Sequence, residues 1–598
     1  TLDGTLFPYT TLFRSYSQVF GAVLLLAGAF FLFLLPWPRL DHRGDNNSLR
    51  LALAVTLAAI GTMYAAFAIN KMLPGFRSPQ SIAGNLGLAL AALAAVFPVF
   101  WLLRRRRPAL HGATRTPGLL IVAGGVEALA LIMFAGLGGA AAPTAPASTV
   151  TGEGANVLLI TVDTLRADHL SAYGYAKIKT PLIDSLAEQG ALFTRAIAAA
   201  PWTLPSLVSL HTGNSPAVHR QFSDESFLDP GIPTLAEAYR EKGFMTAAIV
   251  NNPFTNPAKG LNRGFDVYWH NEVGRTAPTF QGLSLYKFLF PLHGVPYAAE
   301  RMTDTAVDFL RRHGDRRFFL WVHYLDPHAP YGEWYIDRYP DYDREYRGDT
   351  PRVINYDLIN VYEANREVPS DEEIRHWQAS YDAEIMYLDA QLRRLLDTLA
   401  ELKLEENTLV VLTADHGEEF WEHAYLGHGW TLYQEVLHVP LIMRYPPRIA
   451  PGQRIDTTVS LLDVAPTVLA ASNVPAHQGL QGRSLWPALS GESFEPRPVY
   501  SHLEWHQIVL RGIHNDEYDL IRNLRTGRLM LFNVLDDPAQ QHDAAATHGE
   551  ITADLDGQLD GRFIQSARVR KRLPLTGKNR VGLEKVVLKR MKNLGYIE

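Results

Sequence analysis

The stretch N-V-L-L-I-T-V-D-T-L-R-A-D-H-L (156–170), read with T-L-V-V-L-T-A-D-H-G-E (408–418), decides the fold of this chain. Each opens on an unbroken aliphatic and β-branched run and ends in polar residues: Asp163 after the first, Asp415 and His416 after the second. Runs of this kind suit strands buried on both faces of a parallel sheet. Between them lie helical patterns at T-D-T-A-V-D-F-L-R-R-H (303–313) and Y-D-A-E-I-M-Y-L-D-A-Q-L-R-R-L-L-D-T-L (381–399). The alternation predicts a doubly wound α/β domain. In such sheets ligands bind just beyond the C-terminal strand ends, where Asp163, Asp415 and His416 stand.

Three further segments carry candidate chemistry. In A-P-W-T-L-P-S-L-V-S-L-H-T-G (200–213), Thr203 sits where Pro205 and the following apolar pattern start a helix. A threonine there suits a helix cap, and a helix start also favours a bound anion. In H-Y-L-D-P-H-A-P-Y (323–331), His328 is the candidate substrate-facing residue, with His323 and Asp326 read as core or turn residues. In G-E-E-F-W-E-H-A-Y-L-G-H-G-W-T-L-Y-Q-E-V-L-H-V-P-L-I (417–442), His428 is a candidate proton donor, and His423 and His438 are read as structural.

In order and spacing, over roughly residues 156–598, these segments resemble the sulfatase family of the alkaline-phosphatase superfamily. The resemblance implies an alkaline-phosphatase-like doubly wound sheet followed by a small antiparallel sheet, expected in Y-D-L-I-R-N-L-R-T-G-R-L-M-L-F-N-V-L-D-D-P (518–538). It implies a metal site at Asp163, Asp415 and His416, and a nucleophile at Thr203. Family sulfatases oxidise a Cys or Ser in C/S-x-P-S-R to formylglycine, and a threonine cannot become that aldehyde. Positions that bind sulfate in arylsulfatases are Leu207 for the motif arginine, and residues near Asn251 and Pro253 for the G-K-W-H lysine and histidine. Asn251 is the candidate hydrogen-bond donor to the substrate anion. The set of Asp163, Asp415, His416 and Thr203 resembles that of phosphoethanolamine transferases and lipoteichoic acid synthases. An imidazole in place of a carboxylate favours zinc or manganese over calcium or magnesium as the one divalent cation.

The first 140 residues differ in composition from the rest. Apolar stretches at about 17–36, 50–69, 83–103 and 118–138 have the length of bilayer spans. Arg39, Arg43, Arg50 and Arg104–Arg107 in alternate loops predict that everything after 139 lies outside the cytoplasm. The expected organisation is an adapter-like artefact at 1–15, four transmembrane helices at 16–139 and a small-residue linker at 140–155. A catalytic domain at 156–490, a small-sheet subdomain at 491–560 and a basic tail at 561–598 follow. This predicts a multi-pass inner-membrane protein whose catalytic domain is periplasmic or extracellular, with the lipid bilayer as a partner.

Absence of cysteine excludes disulfides and cysteine metal sites. A net charge of −6 gives no sign of a nucleic-acid partner. The first functional expectation is phosphoryl transfer from a phosphodiester through a Thr203 covalent intermediate, on a phospholipid or glycan. The alternatives are a sulfatase that does without formylglycine and an inactive sulfatase-fold binding module.

Overall fold

In the computed structural model, residues 154–270, 299–329, 331, 368–477, 479–505 and 507–577 are described. The first predicted run is strand β1 (Asn156–Val162). It lies between β5 (Phe318–Tyr324) and β6 (Thr408–Ala414), parallel to both. The chain introduces β2 (Ala191–Ile197), β3 (Met245–Val250) and β4 (Val267–His270) before β5. After β6 come the short pair β7 (Glu419–Phe420) and β8 (Leu426–Gly427), then β9 (His438–Arg444), β10 (Gln453–Ile455) and β11 (Val459–Ser460). The main sheet runs β10-β2-β9-β6-β1-β5-β3-β4, with β11 also pairing with β2. β9 is antiparallel to β2 and β6, so the sheet is mixed at one side and parallel at its centre. Every residue of β1, β5 and β6 is buried, which explains why their sequences do not alternate.

Helices α1 (Pro181–Glu188), α2 (Thr203–Thr212), α3 (Leu235–Glu241), α4 (Ala299–His313), α5 (Asp371–Glu401) and α6 (Val464–Ala471) belong to this domain. α5 begins in a capping box: the Ser370 side chain accepts from the Glu373 amide, and the Glu373 carboxylate accepts from the Ser370 amide. Its buried Asp389 accepts from the Leu182 and Ile183 amides, so one helix caps another from two hundred residues away. Burial pushes the Asp389 carboxyl up to about 6.

The expected small sheet is present as β12 (Val499–Trp505), β13 (Ile508–His514), β14 (Tyr518–Asn523) and β15 (Leu529–Asn533), all antiparallel. Helix α7 (Gly549–Arg572) covers it, and Leu555 and Leu559 pack with Ile513, Leu520 and Leu531 in a separate core. Arg195 of β2 reaches across to Asp519 of β14 at 2.5 Å, and the His502 amide donates to the Ala199 carbonyl. The small sheet therefore abuts the segment that leads into Thr203.

The membrane localisation is corrected. Among the described residues no helix is long and apolar enough to cross a bilayer. The longest, α5, is amphipathic: it buries one face and sets charged residues such as Arg393 and Asp397 along the other. The four apolar stretches between 17 and 138 lie outside the described residues.

Candidate active site

Parallel register assembles the site. Val162 pairs with Tyr324 and Ala414, and Thr161 pairs with His323 and Thr413. Neighbouring strands lie about 4.8 Å apart, so residues that end them in step become neighbours. Asp163 and Asp415, one residue beyond β1 and β6, thus meet His323 near the end of β5. One ligand atom from each of these three lies within 4.8 Å of the others, and all three residues are fully buried.

His416 faces the same space. Its Nδ1 lies 2.9 Å from the Gly417 carbonyl, which assigns the proton to Nδ1 and leaves Nε2 as the acceptor. That Nε2 stands 3.6 Å from Asp163 Oδ1, 3.6 Å from Asp415 Oδ2 and 3.3 Å from Thr203 Oγ1. Gly417 is required next in sequence: a Cβ there would meet the Glu435 carbonyl at 2.0 Å.

Thr203 is the first residue of α2, with Trp202 at the cap and no side-chain cap bond. Its hydroxyl faces His416 and Asn252. The helix is seated by Ser206, whose hydroxyl donates to the Asp415 carbonyl at 2.6 Å, and ends at Gly213, where φ is 62°. Asn252 Nδ2 donates to Asp163 Oδ2 and lies 3.5 Å from Thr203 Oγ1. Asn251 is buried at the end of β3, while its neighbour Asn252 makes the contacts to Asp163 and Thr203.

The histidines of the loops close over this group. The His428 ring is 4.4 Å from that of His416, and the His328 ring is 5.1 Å from that of His428. His428 Nδ1 lies 2.7 Å from Glu418 Oε1, and the Tyr331 hydroxyl donates to Glu418 Oε2 at 2.5 Å. Burial disfavours the charged His428 ring, yet the Glu418 charge and hydrogen bond outweigh it and raise its pKa. Burial lowers the pKa of His328 despite the nearby Asp163 charge, and its Nδ1 faces the Ala329 carbonyl at 2.7 Å.

The donor set fits a divalent cation. Asp163 Oδ1, Asp415 Oδ2, His323 Nε2 and Thr164 Oγ1 are buried with no hydrogen-bond partner among the described residues. Such atoms are costly unless something satisfies them. The carboxylates also oppose each other. Burial resists ionisation of Asp163, but His328, His323 and His416 outweigh it and hold its pKa low; burial and the charge of Asp163 push Asp415 high. A cation among them would let both ionise.

Sequence reasoning found Asp163, Asp415, His416, Thr203, His328 and His428, and the fold brings all six together. It missed His323, Asn252 and Glu418. His323 ends the buried run F-F-L-W-V-H-Y (318–324), so the strand-end rule that singled out Asp163 applied to it too.

The Sulfatase family model matches residues 155–474, more than half of the chain. A model for the C-terminal part of N-sulphoglucosamine sulphohydrolase matches 421–565. Arylsulfatase K of Xenopus laevis is 27% identical over 350 residues, covering 53% of this chain and 62% of its own length. The chain thus spans less than two thirds of that relative. BT4656, solved with its substrate D-glucosamine-2-N,6-O-disulfate, superposes with TM-score 0.55 at 18% identity over 71% of this chain and all of its own. The phosphonate monoester hydrolase of Agrobacterium radiobacter superposes with TM-score 0.55 at 22% identity over 72% of this chain and all of its own. At these identities the structural likeness speaks to fold.

Proposed function

The chain belongs to the sulfatase family, a family of hydrolases, and we propose that it is a divalent-metal-dependent hydrolase of sulfate esters on an anionic glycan that works without formylglycine. The observation that carries this is the Thr203 hydroxyl: buried at the start of α2, 3.3 Å from His416 Nε2 and beside Asn252 and the paired carboxylates. Thr203 Oγ1 attacks sulfur as the S–O bond to the leaving oxygen breaks, and its proton passes to His416 Nε2. His428, oriented by Glu418, protonates the leaving oxygen, so the first products are the alcohol and a sulfated threonine. Water then attacks sulfur with His428 taking its proton; the S–Oγ1 bond breaks, His416 returns its proton to Oγ1, and sulfate and free Thr203 are released.

A divalent cation held by Asp163, Asp415 and His323 would neutralise the oxyanion and lower the pKa of the Thr203 hydroxyl, leaving His416 Nε2 to take the hydroxyl proton. The imidazole favours zinc or manganese. The structural neighbour BT4656, solved with a sulfated glucosamine, supports the substrate class, and the arylsulfatase relative supports hydrolysis over phosphoryl transfer.

A second reading, hydrolysis of a phosphonate monoester by the same residues, is favoured by the likeness to the phosphonate monoester hydrolase. The test is a screen of the purified chain and its Thr203→Ala variant on sulfate, phosphonate monoester and phosphodiester substrates, with zinc, manganese, calcium and magnesium varied. Sulfate ester turnover that disappears in the variant is expected. Turnover of phosphonates alone would select the second reading, and a fully active variant would overturn both.

A further inference from the structure

Away from Thr203, the face of β12 opposite Trp505 carries a side chain that nothing in the mechanism uses. His502 is 6% exposed, and neither of its ring nitrogens has a hydrogen-bond partner among the described residues. A neutral imidazole always has one N–H to give and one lone pair to fill, so leaving both idle in a buried place is costly. The ring stands between Phe222, 4.9 Å away, and Phe563 of α7, 5.2 Å away.

The charges around it are mostly positive. Arg511 of β13 and Arg220, in the turn after His219, both oppose protonation of this ring. Together with burial, the largest cause, they press its pKa down to about 3. The Arg511 guanidinium carbon lies over the Phe563 ring, 3.4 Å from its centroid; its Nε is unsatisfied, and no acid sits at ion-pair distance among the described residues. Arg220 is exposed with no ion pair among the described residues, and it also lowers the pKa of Arg570, where burial is the larger cause. The nearby acids are largely committed elsewhere. Asp556 and Asp560 bind Arg522, while the exposed Glu504 faces His502 Nε2 at 3.8 Å, a carboxylate that an incoming anion would displace.

We propose that His502, Arg511 and Arg220 form an oxyanion-binding site, separate from the Thr203 centre, that takes a sulfate or phosphate group. Guanidinium groups suit the tetrahedral oxyanion, Phe563 packs against one of them, and the buried imidazole supplies an inward donor. The group arrives either as the free ion or as a second charged substituent of a glycan. β12 links the two places. The His502 amide donates to the Ala199 carbonyl, and Trp505 on the same strand meets Trp202 at 4.5 Å, next to the nucleophile. Three residues of strand separate His502 from that contact, roughly 10 Å.

The test is calorimetric titration of the full chain in a Thr203→Ala background, which removes turnover from the measurement. Sodium sulfate is one arm and a sulfated oligosaccharide the other. Arg511→Gln and Arg220→Gln are expected each to weaken binding at least about fivefold, and His502→Phe to weaken it as well by removing the inward N–H donor. Stronger binding of the oligosaccharide than of sulfate, with the gain lost in Arg511→Gln, identifies the glycan as the source; equal binding identifies the free ion. Unchanged affinity in the Arg511→Gln, Arg220→Gln double variant would overturn the site. So would sulfate binding that disappears with Asp163→Asn instead. Should His502→Phe fail to fold, the partly exposed Arg511 and the exposed Arg220 still decide the matter. Because turnover is not measured, failure here leaves the proposed reaction standing.

Discussion

Glu418 grips His428: its Oε1 stands 2.7 Å from the ring Nδ1, while its Oε2 accepts from Tyr331 at 2.5 Å. A carboxylate fixed at both oxygens fixes the imidazole it touches, so the far nitrogen of His428 is aimed, and the same carboxylate favours its protonated form. Glu418→Gln keeps the shape and removes the charge. The expected result is a fall in kcat of about ten- to a hundredfold with little change in KM and unchanged metal content, less than the roughly 10²–10⁴ of a lost general acid because the imidazole itself remains. Steady-state kinetics with elemental analysis measures both, and an unchanged kcat would rule out His428 as the proton donor.

The metal prediction rests on the atoms without partners. Asp163→Asn and His323→Ala are each expected to weaken divalent-cation binding by at least about tenfold, because each removes one donor from a closed buried set. Equilibrium dialysis against zinc and manganese reads the loss directly, without substrate. Retention of full metal content by His323→Ala would exclude His323 from the set and leave His416 as the imidazole ligand.

A third prediction concerns the loop that carries Asp163. The Tyr381 hydroxyl donates to the Thr164 carbonyl at 2.7 Å and accepts from the Arg166 amide at 2.9 Å. Between them Thr164 is held at φ 58°, a strained value for a β-branched residue. Tyr381→Phe leaves a buried amide and carbonyl unsatisfied, so a loss of about 1–3 kcal/mol is expected. The loop should also relax, lowering kcat/KM. Denaturant unfolding and kinetics together check this; loss of stability with full activity would show that the loop does not need its tether.

The junction between the two sheets should respond to acid. Asp519 is buried, which opposes its ionisation, but Arg195 and His514 outweigh burial and hold it at about 2 against an ordinary 3.8. A folded pKa below the unfolded one means stability present above about pH 4 and lost as pH falls toward 2. The size is about 2 kcal/mol. Asp519→Asn should already be destabilised at neutral pH, because it leaves Arg195 without its charge partner. Its unfolding midpoint should then fall less between pH 5 and pH 3 than that of the natural chain. Parallel curves would refute the assignment.

Much of the fold was legible because its strands announce themselves. N-V-L-L-I-T and T-L-V-V-L-T are apolar at every position, and that pattern suits the centre of a parallel sheet. The strand-end rule then singled out Asp163, Asp415 and His416, and Pro205 marked the helix start at Thr203. The small C-terminal sheet was legible from its family resemblance.

Other parts had no local signal. His323 becomes a neighbour of Asp163 because β5 lies beside β1, an order that the chain fixes only after it has folded. Asn252 meets Asp163 and Thr203 from two positions beyond the end of β3, where register rather than composition sets which side chain turns inward. Tyr381, Glu418 and Asp389 act through carbonyls, amides and an imidazole, most of them far along the chain and met only in the packed structure. Periodicity reports which face of an element is buried, and so the sequence by itself determined the strands, the helices and the residues at their ends. Which ends meet depends on strand order and packing between distant segments, and these the tertiary structure alone decided.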